Sequence, residues 1–64
     1  MSLYDYEVSK KLAQIDPPFA ALIMAAMRKA DSVNLLGLKA SFPGIYDELE
    51  ARYNAPGGRL ESDG

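Results

Sequence analysis

Apolar side chains recur along this 64-residue chain at helical spacing, in four stretches separated by proline, glycine and acidic punctuation. In the first stretch Tyr4, Val8 and Leu12 lie four residues apart and Ile15 follows three later. That spacing places them on one edge of a helix over Ser2 to Gln14. Glu7, Lys10, Lys11 and Gln14 fall on other faces, and Glu7 with Lys11 forms an i,i+4 pair of favourable order. Ser2, with Asp5 three residues on, is a capping signature. Ile15-Asp16-Pro17-Pro18 then breaks the pattern, because proline disfavours helical backbone in the residue before it. Asp16 is expected to cap the next helix and a proline to occupy its first turn, where no N–H is needed.

The second helix is expected to run to about Ala30. Its residues from Phe19 to Met27 carry no polar side chain at all. A surface helix normally keeps one polar face, so this one calls for cover on most sides. Phe19, Ala20, Leu22, Ile23, Met24, Ala25 and Met27 are the candidate oligomer interface, and the alanines permit close helix approach. Asp31 or Ser32 caps a third helix, with Val33, Leu36 and Ala40 on one edge and Leu35, Leu38 and Phe42 on the adjacent one. Gly37 weakens it by roughly 1 kcal/mol relative to alanine. Phe42-Pro43-Gly44 forces a corner, and Pro43 begins a fourth helix to about Tyr53. There Ile45, Tyr46, Leu49 and Tyr53 form the apolar edge, with Asp47, Glu48 and Glu50 on the solvent side. Asn54-Ala55-Pro56-Gly57-Gly58 stops it. With no strand-like alternation and no internal repeat, the pattern predicts an all-α fold. The expected arrangement is one compact bundle of three to four short helices over residues 1–58, with 59–64 as a flexible, disordered tail.

A chain this short is one domain at most, near the size where a single core is marginal. Small domains often add disulfides or metal sites, but cysteine and histidine are both absent. No disulfide can form, the usual zinc ligands are missing, and no D-x-D-x-D-G calcium loop is present. No metal and no cofactor is therefore expected, and self-association becomes the expected partner for the second helix. The net charge of −2 offers no basic excess for nucleic acid. The first residues lack the basic and apolar regions of a signal peptide. The Phe19–Met27 run is about half the length of a membrane span.

Catalysis is not expected. Without histidine or cysteine the commonest general base and the thiol nucleophile are missing, and no G-x-S-x-G elbow or phosphate-cradling glycine loop is present. Asp47, Glu48 and Glu50 read as a solvated acidic face. The residues suited to an anionic ligand are Arg28, Lys29, Lys39 and Arg52, with Tyr46 and Tyr53 as stacking partners. In a symmetric oligomer such groups repeat around the axis and can converge.

Two strings, P-P-F-A-A-L-I-M-A-A-M-R-K-A-D at 17–31 and F-P-G-I-Y-D-E-L-E-A-R-Y-N-A-P-G-G at 42–58, resemble a class of very short open reading frames in tailed bacteriophages and prophages. The resemblance implies a context rather than an activity carried residue by residue. Phage proteins of this size commonly block a host component, including host defence systems, and some sequester small nucleotide signals within an oligomer. The resulting expectation is a non-catalytic, homo-oligomeric binding protein acting in the host bacterial cytoplasm on a host protein or a small anionic nucleotide. A small structural or assembly protein of the virion is the second reading. A DNA-binding regulator is the third, disfavoured because Asp47, Glu48 and Glu50 would meet phosphate with the wrong sign.

Overall fold

The computed structural model describes residues 1–64 and is helical throughout, without strands. Ser2 adopts extended geometry and its Oγ accepts the Asp5 N–H at 3.1 Å, which starts α1 (Leu3–Ile15). Glu7 pairs with Lys10 at 3.5 Å rather than with Lys11. Lys10 also lies over the Tyr6 ring at 5.7 Å, so the aromatic face draws the ammonium to that side.

Asp16 does not cap the second helix. It sits in the left-handed region (φ 54°, ψ 53°) and closes α1, its N–H donating to the Ala13 carbonyl at 3.1 Å. Aspartate tolerates this conformation better than most side chains. With both prolines between it and Phe19, it stands too early to reach the next free N–H groups. Pro18, extended at φ −57° and ψ 144°, is the last residue before α2 (Phe19–Lys29), which therefore starts without a side-chain cap.

α3 (Ser32–Ser41) is capped by Asp31, whose Oδ1 accepts the Asn34 N–H at 2.8 Å. One residue, Phe42, ends α3 and opens α4 (Pro43–Tyr53). Its N–H donates to the Leu38 carbonyl at 2.8 Å, and its carbonyl accepts from the Tyr46 N–H at 3.0 Å. The Phe42 ring meets Phe19 edge-on, with centroids 5.8 Å apart, tying the start of α2 to the α3–α4 corner.

α2, α3 and α4 pack on one another as a three-helix bundle; α1 packs against no other element. The molecule measures 42 × 27 × 18 Å, with a radius of gyration of 13.6 Å. A compact domain of this length would have about 11 Å. The projecting α1 accounts for the difference, so compactness belongs to three helices and not to a fourth. No helix is long and apolar enough to cross a membrane.

The segment 59–64 folds back towards α4. Gly57 (φ 63°) and Gly58 (φ 69°) turn the chain back after a short 3₁₀ turn at Pro56–Gly58. A second 3₁₀ turn, Glu61–Asp63, then brings Asp63 against Arg52. Both oxygens of that carboxylate accept from the guanidinium, at 2.7 Å each. A bidentate pair of this kind has the geometric definition to hold a short terminal segment.

Candidate functional site: an apolar groove between three helices

Of the apolar edges that helical spacing picked out on α3 and α4, one on α3 and the α4 edge apart from the exposed Tyr53 are half-buried. Leu35, Leu38 and Phe42 face inward on α3, as do Ile45, Tyr46 and Leu49 on α4. The other α3 edge stays outside, with Val33 80% and Leu36 70% exposed. On α2, Leu22, Ile23 and Met24 are half-buried, while Phe19, Ala20 and Ala25 are exposed. Met27, at 5% exposure, is the one buried residue of the molecule. It is covered by its own chain and so differs from the rest of the proposed α2 interface. α2 is wrapped by α3 and α4 on one side only.

Between these helices runs an open groove of about 440 Å³. Met27, Leu35 and Leu49 supply its aliphatic lining; Tyr46 and Tyr53 add two aromatic rings, and Arg28 and Glu50 bring opposite charges. Met27, Leu35 and Leu49 were legible as core-edge positions, but their role as groove lining was not. Glu50, expected simply on the solvent side, is exposed yet belongs to this groove. It also acts on Tyr46: the Glu50 carboxylate beside the phenol, one helical turn away, pushes the Tyr46 pKa up, with Asp47 adding to the effect.

The six candidate ligand residues do not converge within one chain. Arg28, Tyr46 and Tyr53 share the groove; Lys39 does not line it, but its Nζ lies 4.7 Å from the Tyr46 ring centroid. Lys29 lines a different cleft, between α2 and α3, with Ala26, Asn34 and Leu38. Arg52 is committed to its own chain. Besides Asp63, its Nη1 donates to the Gly58 carbonyl at 2.9 Å and its Nε to Glu48 at 3.3 Å. The Asp63 and Glu48 carboxylates raise the Arg52 pKa and, in return, Arg52 and the Leu60 N–H hold the Asp63 carboxyl below its ordinary range. Arg52 is thus engaged within its own chain, clamping the tail. Its spacing to Asp63 is not a helical one, and no local pattern would have marked it.

No group of three or more acidic residues is placed to hold a metal ion. The chain matches no family model, no curated protein and no solved structure.

Proposed function

We propose that this chain is a non-catalytic helical binding protein of phage type that works as a homo-oligomer and blocks or sequesters a host component. The observation that carries the reading is the surface the single chain leaves open. Its accessible area is 5425 Å², and only Met27 is buried. A compact monomer of this mass would expose about 4,000 Å². Leu3, Tyr4, Ile15, Phe19, Val33 and Leu36 are all largely exposed, beyond the scattered apolar residues of an ordinary surface. Neither disulfide nor histidine-based metal site is available to stabilise so thin a core, which leaves association as the source of burial. The phage context comes from the likeness of the 17–31 and 42–58 strings, and with it the host cytoplasm as the setting.

Between the two kinds of target, the mixed charge of the groove argues against an anionic nucleotide, which leaves a host protein, bound elsewhere on the surface, as the target. Arg28 faces the same space as Glu50, while Arg52 is spent on Asp63 and Lys29 lies elsewhere. The nucleotide reading keeps one specific support, Lys39 over the ring of Tyr46, in a groove that also holds Arg28, and it needs other copies to add positive charge. Light scattering on the purified chain tests the common part: an oligomer is expected, and a stable monomer overturns the proposal. Calorimetry against cyclic and ADP-ribose-type nucleotides decides the target. No heat is expected, and saturable binding would transfer the reading to a nucleotide sponge.

A further inference from the structure

We propose that α1 is an exchange arm, whose apolar edge docks into the groove between α2, α3 and α4 of a second copy, while that copy returns its own α1 in the same way. The proposal rests on the self-association reading and says which surfaces meet. It begins with α1 itself. Tyr4, Val8, Leu12 and Ile15 form a continuous edge, yet the helix packs on nothing in its own chain and leaves Tyr4 76% and Ile15 73% exposed. Residues at i, i+4, i+8 and i+11 are the anchors with which an amphipathic helix occupies an apolar groove.

The groove has the matching character, with Met27, Leu35 and Leu49 between Tyr46 and Tyr53. Charge also matches. The α1 edge is flanked by Glu7 and Lys11, one turn apart, and the groove carries Arg28 and Glu50.

Area supports an exchange over a single light contact. The chain exposes about 1,400 Å² more than a compact chain of its mass. A standard interface buries about 800 Å² per partner, and obligate dimers bury more. Reciprocal docking of two arms fits the larger class. The connection is suited to it as well. Asp16-Pro17-Pro18 is short, with proline fixing φ at two of its three positions, and it directs α1 away from its own bundle. An isologous two-fold exchange then closes without leaving a free arm. Filling the groove this way leaves the Val33–Leu36 edge of α3 on the outside, where a host protein can reach it.

The chain contains no cysteine, so introduced thiols report cleanly. Leu12→Cys and Tyr53→Cys are made as separate single variants, mixed under conditions that allow exchange, and treated with a short bis-maleimide. The expected result is a Leu12→Cys/Tyr53→Cys heterodimer as the main cross-linked band. Ala13→Cys, on the far side of α1, gives only background with the same partner. Circular dichroism and light scattering on each variant verify its helices and assembly; Val8→Cys replaces Leu12→Cys should the latter lose either. A cross-link confined to Leu12→Cys with itself would mean that arms pair with arms, and would overturn the proposal. So would an oligomer in which neither α1 variant reacts with Tyr53→Cys beyond the Ala13→Cys level. A chain that is monomeric before any substitution overturns the self-association reading as well, which separates the two failures.

Discussion

At the scale of single residues, the molecule's best-defined polar interaction joins Arg52 to Asp63 across eleven positions of sequence. Asp63 is partly exposed, so the pair acts on placement of the tail more than on global stability. Its pH dependence has a definite sign. The native Asp63 pKa lies below the unfolded one, so the tail is fully docked at neutral pH. Docking weakens as the pH falls below the ordinary aspartate value of about 3.9 and is lost below the native pKa. Amide chemical shifts of Leu60 and Asp63 are expected to follow this acid transition. Asp63→Asn should show the released shifts at neutral pH with no loss of helix signal. A second residue-scale test concerns Tyr46. Glu50→Gln removes the neighbouring charge, and the phenol should titrate at lower pH by ultraviolet difference spectroscopy. Neither interaction was fully legible in the sequence. Tyr46 and Glu50 were visible as residues one helical turn apart, but assigned to separate faces. Arg52 and Asp63 meet only because two left-handed glycines reverse the chain between them.

At the scale of elements, helix positions followed from local rules wherever a local signal acts alone. Ser2 caps α1 as expected, Asp31 is the one of the two candidates, Asp31 and Ser32, that caps α3, and Pro43 opens α4, which ends at Tyr53. Asp16 is the exception with a physical lesson. Two functions compete at one residue, closing one helix and capping the next, and the two prolines after it decide for closure. The same rules make Gly37 a test of α3. It lies in the interior of the helix, and a Cβ built there meets nothing within 4 Å. Gly37→Ala should therefore stabilise the fold by about 1 kcal/mol through helix propensity. Thermal melting should show it as a rise of roughly 4–8 °C, the scale for domains of this size. A fall in midpoint would mean that another chain approaches the α3 backbone closely enough to exclude a methyl group.

At the scale of the whole molecule, helix spacing identified the apolar edges but not which of them a single chain can cover. The Leu35–Leu38–Phe42 edge of α3 turns inward and the Val33–Leu36 edge does not, a choice fixed by how α4 leaves the corner at Phe42. α1 has as regular an apolar edge as any other helix, yet it projects from the bundle. Periodicity specifies a face and is silent about its partner. If that partner is a second copy, association adds to the stability of the folded chain, which then depends on chain concentration. Each tenfold dilution then costs the assembled state about 1.4 kcal/mol per dimer. Melting midpoints measured across a hundredfold range of concentration should fall steadily on dilution, together with loss of the oligomer in light scattering. A monomeric fold predicts a midpoint independent of concentration. Leu12→Asp sharpens the comparison, because α1 contributes nothing to the packing of its own bundle. In a monomer the substitution would leave the midpoint nearly unchanged, whereas in the assembly it places a carboxylate in an apolar interface. The expected outcome is a variant that keeps its helices, melts earlier than the parent chain, and no longer responds to concentration.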